Sequence, residues 1–478
     1  MRLFCTLQVI ILTVLLGTFL NSPVIAEEHA AATLLYQQHC AQCHGADLSG
    51  GSASSLIDGQ WMYGAEPGYM IRNTKHGLPH LGMPAYEEAL SDSEIRSIIQ
   101  YILSQEHSIG ATRPPVPDEL QTIDYLLKVE EWVDGLEIPW AIDFMDSRTA
   151  LITERPGPVR LVVDGVMNPE PVQGTPEVLH EGQGGMMDVA VDPDYDENGW
   201  IYLAYSHALE PDANDPRPPA MTRIVRGKIQ DGHWVEQQVI YEAPHETYLT
   251  TRHHYGCRIV FDRAGYLYFA IGDRGIMEHA QDLSLPNGKV HRIHRDGSIP
   301  VDNPFVNQDG ALPTIYSYGN RNPQGLSIHP VTDELWESEH GPMGGDELNL
   351  IRAGRNYGWP VISYGRNYDG RIITELTEME GMEQPNYYWR PSTAVCPIDF
   401  YRGDQFPRWR NHLLVGALRF EEVALVRIVE DRIIHEEVIL KGMGRVRDVA
   451  SGPDGAIYVV LNSPDKVLRL SHARDRQY

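Results

Sequence analysis

The strongest pattern in the chain is an apolar strand, a polar turn and a second apolar strand, recurring six times. The copies are Ala141–Thr153, Val189–Tyr205, Ile259–Ile271, Leu326–Ser338, Phe406–Ala417 and Val449–Leu461. Two of them carry a turn before Leu-Tyr or Ile-Tyr: Asp262–Tyr268, with Asp-x-x-Gly, and Pro453–Tyr458. They lie about 61 residues apart on average, enough for a four-stranded blade with its loops. The spacing is too uneven for a tightly repeating array. The pattern predicts a six-bladed β-propeller, which explains a sixfold recurrence better than a β-sandwich built from the same strands. Leu127–Val133 is expected to close the ring against Val467–Leu470.

The first hundred residues follow a different period. Ser91-Asp92-Ser93-Glu94 is a capping box, and Ile95, Ile98, Ile99, Ile102 and Leu103 continue it at helical spacing. Leu34, Leu35 and Gln38 predict a short helix before Cys40-Ala41-Gln42-Cys43-His44. This C-x-x-C-H motif is the attachment signature of c-type haem. Two thiols about one helical turn apart can add to two vinyl groups, and the adjacent imidazole reaches the iron. The layout resembles a small cytochrome c over about residues 28–107, with first and last helices crossing behind the haem. That resemblance implies Cys40 and Cys43 as covalent haem anchors and His44 and Met83 as iron ligands. Met62, Met70, His76 and His80 are competitors for the second position. A Met/His pair suits electron transfer rather than oxygen chemistry.

Residues 1–26 carry Arg2, an apolar run from Leu7 to Leu20 and Val24-Ile25-Ala26. This reads as a cleaved signal peptide, and the run falls short of the roughly 20 residues a membrane span needs. A periplasmic or secreted protein with no integral membrane segment is expected. The domain plan is then a signal peptide (1–26), a cytochrome c domain (27–107), a Pro-rich linker (108–122) and a propeller (123–478). With 39 Lys+Arg against 66 Asp+Glu the chain has a formal charge of −27, which argues against nucleic acid as a partner. Cys257 and Cys396 remain after the haem pair; a disulfide and two free thiols both fit an oxidising compartment.

From about Leu136 onward a series of motifs appears in order: Gly182-Gln183-Gly184-Gly185, His254-Tyr255-Gly256-Cys257-Arg258, Arg295 to Pro304, Gly319 to Leu326, Ser338-Glu339-His340-Gly341-Pro342, Asn356-Tyr357-Gly358-Trp359-Pro360 and Arg445-Val446-Arg447-Asp448. Together they make this region resemble the soluble quinoprotein glucose (aldose sugar) dehydrogenases. These are six-bladed propellers that bind pyrroloquinoline quinone (PQQ). PQQ carries three carboxylates, and arginine forks suit them. The resemblance implies Arg321, Arg419, Arg445 and Arg447 as the cations, although position 419 normally carries Lys in that family.

The same resemblance implies His254 as catalytic base, with Arg321 and Asn322 at the quinone carbonyl and the developing oxyanion. Gln183 would touch sugar or cofactor. A neutral imidazole suits proton removal near pH 7. Calcium, a hard cation, would be held by carbonyls at Gly341 and Pro342. Asp346, Glu347 and Tyr357 match a second calcium position, or else form an exposed acidic loop. His253, His340 and Met186-Met187 depart from the glucose-specific pattern, so sugar oxidation is favoured over glucose preference.

The sequence therefore predicts a PQQ- and calcium-dependent aldose-type dehydrogenase that passes electrons to its own haem c. An external acceptor, a cytochrome or respiratory-chain component, would follow. Two rivals are a calcium-dependent lactonase-type hydrolase and a cofactor-free propeller that docks the cytochrome to a partner.

Overall fold

A computed structural model of the chain describes residues 23–473, apart from 51–52, 54, 58–66, 79–82, 110–115, 212–215 and 369. The chain divides into two compact units, residues 1–111 and 112–478. Most of the expected signal peptide lies outside the described residues, as do Met62 and His80. Among the described residues no helix is long and apolar enough to cross a membrane.

The first unit is helical: α1 (Pro23–His39), α2 (Ala41–His44), α3 (Pro67–His76) and α4 (Asp92–Ile109). Its capping box forms as read. The Glu94 amide donates to Ser91 Oγ at 3.3 Å, and the Ser91 amide donates to Glu94 Oε2 at 2.8 Å. The apolar stripe of α4, Ile95, Ile98, Ile99 and Ile102, is buried with Tyr36 of α1, and the Tyr36 and Tyr101 rings meet at 5.7 Å. First and last helices thus pack face to face.

The described strands of the second unit form six antiparallel sheets, the blades of a propeller. Blade 1 is Pro139–Phe144, Thr149–Glu154, Val159–Val163 and Val166–Met167. Blade 2 is Met186–Val191, Ile201–Ala208, Ala220–Gln230 and His233–Tyr241. Blade 3 is Ile259–Phe261, Tyr266–Ile271, Lys289–His294 and Ile315–Tyr318. Blade 4 is Pro323–Ile328, Leu335–Glu339, Asp346–Ile351 and Tyr387–Trp389. Blade 5 is Val395–Phe400, Leu413–Ala417, Glu422–Val429 and Arg432–Lys441. Blade 6 takes Arg445–Ser451, Ile457–Asn462 and Lys466–His472 from the end of the chain and Leu126–Val133 from its beginning. Val129 pairs with Leu470 and Val133 with Val467, so the ring closes between distant segments.

Five of the six sequence copies begin on the first strand of a blade. The copy starting at Phe406 does not: the first strand of blade 5 is Val395–Phe400, and Phe406 leads a 3₁₀ turn (Pro407–Trp409) that packs Trp409 into the core. Its apolar residues fill the interior from a loop, which periodicity cannot distinguish from a strand. Glu119–Gln121, read as linker, pairs with Leu126–Lys128 as a fifth, outermost strand of blade 6.

The first strands of neighbouring blades touch one another around the ring and are innermost. Carboxylates on these strands hook the backbone of the next blade. Asp143 accepts from the Val191 amide at 2.7 Å, Asp188 from Ile259 at 2.7 Å, Asp399 from Ser451 at 2.9 Å and Asp448 from Ile142 at 2.9 Å. The Arg258 guanidinium lies between Asp188 (2.9 Å) and Asp448 (3.0 Å). Burial pushes Asp188 up to about 7, against Arg258, which holds it down.

Arg258→Ala would leave two carboxylates buried without their cation, and a loss of about 3–5 kcal/mol in unfolding free energy is expected. A carboxylate with a raised folded pKa binds its proton more tightly folded than unfolded, so its stability contribution is lost as pH rises. The deficit of Arg258→Ala should therefore be larger at pH 8 than at pH 5, as read by chemical denaturation.

Candidate active site

Loops that feed the innermost strands and loops that leave the second strands emerge at one end of the propeller. The segments before the inner strands supply Gln183, His254, Arg321 and Asn322, and the blade 6 inner strand opens with Arg445 and Arg447. The turns after the second strands of blades 4 and 5 supply His340, Gly341, Pro342 and Arg419. The propeller topology thus gathers residues spread from 183 to 447.

His254 stands at φ +55°, a left-handed conformation that costs energy for a non-glycine residue and recurs at functional sites. Its amide donates to Gln183 Oε1 at 2.8 Å, and its Nδ1 lies 2.6 Å from Asp273 Oδ1. Asp273 is buried and also accepts from the Gly275 amide (2.7 Å) and from Trp359 Nε1 (2.8 Å). Burial works to raise the Asp273 carboxyl, yet His254 and Arg321 hold it at about 2. Burial and then Arg321 push His254 down to about 4. An ionised Asp273 fixes the proton of neutral His254 on Nδ1, which leaves Nε2 as the basic atom.

Arg321 donates through Nη1 to the carbonyls of His340 (2.8 Å) and Gly341 (2.9 Å), and its guanidinium lies 5.5 Å from the centre of the Trp359 ring. Asn322 Oδ1 accepts from Gln324 Nε2 at 3.2 Å. Arg447 donates to Gln324 Oε1 at 3.2 Å, and Arg419 to the Ser392 carbonyl at 2.8 Å. Burial, then Arg447, Arg321, His254 and Arg445, push His340 well below the ordinary imidazole range. Four of the expected groups therefore bear on one side chain. His340 Nε2 is buried without a protein partner. A concentration of guanidinium groups around a buried unpaired nitrogen fits a planar polycarboxylate such as PQQ.

The first calcium position offers carbonyl oxygens at Gly341 and Pro342, both lining a small cavity with Arg321, Glu339, Glu347, Tyr357 and Trp359. Gly341 O already accepts from Arg321, and Glu339 and Glu347 line the same cavity, so a cation held there would have carboxyl groups of this chain beside it. Of the second calcium set, Glu347 and Tyr357 line this same cavity and Asp346 does not. Asp346 and Glu347 are successive residues of a strand and point to opposite faces. Asp346 is fully buried and accepts from the Gly341 and Val395 amides and from Ser392 Oγ. It organises the turn and is no part of an exposed acidic loop. Glu347 lies beside Glu339 and Asn349, and burial raises its carboxyl. The Tyr357 hydroxyl donates to Leu350 O and accepts from the Arg352 amide.

In the helical unit Cys40 caps α2, and Cys43 and His44 follow within the same turn. Cys40 is half-buried against the helical core and Cys43 is exposed. Met83 is half-buried, on a short antiparallel bridge to Leu78. Of the described competitors, Met70 is buried in the core and His76 pairs with Glu87 at the surface. Two thiols at haem spacing beside an apolar core fit covalent haem. In the propeller, Cys257 and Cys396 are free thiols, both buried, on the entrance to blade 3 and the inner strand of blade 5.

Residues 136–469 match the family model described as glucose/sorbosone dehydrogenase. The chain belongs to that family. Residues 27–102 match the model of cbb3-type cytochrome c oxidase subunit III, and the first unit is a cytochrome c domain. The chain is 39% identical over 352 residues to the aldose sugar dehydrogenase YliI of Escherichia coli, covering 72% of this chain and 93% of that protein. It is 33% identical over 365 residues to quinoprotein glucose dehydrogenase B of Acinetobacter calcoaceticus, covering 60% and 74%. The crystal structure of the E. coli aldose sugar dehydrogenase in its apo form superposes with a TM-score of 0.68 at 37% identity, over 72% of this chain and 99% of that one.

Within this family member, sequence reasoning missed Asp273 and Trp359 as partners of the expected base His254. Gly272-Asp273-Arg274-Gly275, directly after the second strand of blade 3, was the available signal for Asp273; nothing local marked Trp359 as its partner. Turnover that depends on neutral His254 should persist down the pH scale and fall only as pH drops through about 4. Asp273→Asn removes a charge that raises His254, so this acid limb should move lower, while kcat falls about 10²–10⁴-fold. A kcat/KM–pH profile reads both.

Proposed function

We propose that this protein oxidises the anomeric hydroxyl of an aldose-type sugar to the lactone, with PQQ and calcium, in the periplasm or outside the cell. Electrons would leave through a haem c held by Cys40, Cys43, His44 and Met83 to an external cytochrome or respiratory-chain component. The observation that carries the reading is the His254–Asp273 pair opening beside arginines from separate blades. A relative named quinoprotein glucose dehydrogenase and a PQQ-bound aldose sugar dehydrogenase structure from Streptomyces coelicolor (TM-score 0.58, 25% identity, 72% of this chain and 98% of that one) support the cofactor.

His254 Nε2 takes the proton of the C1 hydroxyl, and Asp273 balances the imidazolium that results. Arg321 and Asn322 would supply the N–H donors that stabilise the oxygen gaining charge. Arg419, Arg445 and Arg447 would hold the cofactor carboxylates, and Gln183, bonded to the His254 amide, would steady the sugar side of the pocket. When bound, PQQ supplies the acceptor for the C1 hydrogen and its electron pair. Gly341 and Pro342 would hold calcium through carbonyl oxygens. The cytochrome on the same chain makes the electron acceptor a tethered one, at high effective concentration. The basic and apolar start of the chain supports export.

A lactonase-type hydrolase would need side-chain carboxylates at the channel metal; Glu339 and Glu347 do line the Gly341–Pro342 cavity, so what favours oxidation is the set of arginines gathered around His340 for a polycarboxylate. A purely docking propeller has no use for a buried base held by a carboxylate.

The test is reconstitution of the haem-loaded protein with PQQ, calcium and a panel of aldoses, aldehydes and alcohols, followed by haem absorbance. Haem reduction by an aldose, dependent on both PQQ and calcium, is expected; silence across the panel would falsify the enzyme reading. Arg447→Ala should weaken PQQ binding about 10- to 100-fold, the worth of a hydrogen bond to a charged group, by titration of the cofactor. Cys40→Ala should abolish two-point covalent haem attachment, visible as a shifted haem spectrum.

A further inference from the structure

We infer that Trp359 is the positioning residue of the active site, pinning the orienter of the base and the neighbouring guanidinium with one side chain. The inference rests on the proposed role of His254 as base. Trp359 is buried, and its indole Nε1–H donates to Asp273 Oδ2 at 2.8 Å. Asp273 Oδ1 is the oxygen that meets His254 Nδ1. The carboxylate is therefore held at both oxygens and cannot rotate away from the imidazole. The face of the same indole lies 5.5 Å from the Arg321 guanidinium carbon, within reach of a cation–π attraction. The backbone ties the two functions further, because the Asp273 amide donates to Arg321 O at 2.8 Å.

The indole itself stands on a rigid base. Its amide donates to Gly319 O at 2.8 Å, and its carbonyl accepts from Gln281 Nε2 at 2.7 Å. Gln281 and Asn356 exchange hydrogen bonds amide to amide, at 3.0 and 2.8 Å, which fixes the loop leading into Trp359. Gly319 has φ +83°, and a Cβ there would lie 2.2 Å from Asn356 Oδ1, so only glycine lets the loop approach. A blade 4 loop thus reaches over blade 3 and sets the geometry of its base. Without this contact the carboxylate would be left with the Gly275 amide on Oδ1, and a looser Asp273 would select the Nδ1–H tautomer of His254 less strictly.

The test uses the full chain, ¹⁵N-labelled, with its haem reduced and without PQQ. His254 is identified by the signal lost in His254→Ala. A single Nδ1–H tautomer is expected in the wild type and a mixture of tautomers in Trp359→Phe, which keeps the ring and removes the donor. In the reconstituted enzyme, kcat of Trp359→Phe should fall about 10- to 100-fold with sugar KM within about threefold. An unchanged tautomer in Trp359→Phe overturns the inference. Absence of sugar oxidation in the wild type would instead overturn the proposed function, leaving the tautomer result to decide the role of Trp359. If Trp359→Phe does not fold, the wild-type indole N–H decides: it should exchange slowly and move on Asp273→Asn, and an unmoved resonance overturns the inference.

Discussion

One guanidinium joins most of the ring. Arg258, at the entrance to blade 3, meets Asp188 of blade 2 and Asp448 of blade 6, donates to Gln324 O of blade 4 at 3.1 Å and to Arg447 O of blade 6 at 2.8 Å, and lies 4.3 Å from the centre of the Trp140 ring of blade 1. A charge taken out of water needs partners on every side, and here those partners come from different blades. The hooks of Asp143, Asp188, Asp399 and Asp448 carry the same logic around the inner strands, each satisfying an amide that the neighbouring sheet leaves open.

The site inherits its precision from that closure. The hub binds the backbone of Arg447, and Arg447 reaches Gln324, two residues beyond Asn322. Any change in blade spacing would therefore move the cations and the base together. The low pKa of His254 follows from the same compactness. Burial and a nearby Arg321 outweigh the carboxylate of Asp273, and the imidazole remains neutral and ready to accept a proton. The acidic chain thus gathers its cations locally, holding Arg258 and Arg321 among backbone carbonyls, while carboxylates such as Asp188, Asp273 and Asp448 are buried beside them.

Much of the architecture was legible because period and composition are local. Paired apolar strands around a polar turn marked five blades, and the C-x-x-C-H motif marked the cytochrome c domain. Blade 5 was misread where a 3₁₀ turn imitated a strand, since Phe406 and Trp409 are buried as deeply as any strand residue. Among the expected site residues, His254, Arg321, Arg445 and Arg447 come from ordered motifs, and all four bear on His340. Asp346 and Glu347 were expected together with Tyr357 from the family resemblance, but a strand turns adjacent side chains apart, and only Glu347 and Tyr357 share a cavity.

The sequence by itself determined the class of fold, the two units and the residue types available for haem and for a polycarboxylate cofactor, because each depends on patterns within a few residues. Tertiary structure alone decided which of them act together. Asp273 and Trp359 are 86 residues apart, and Arg258 and Asp448 are farther still. Their pairing exists only once the ring has closed and burial has made each leave water for the other.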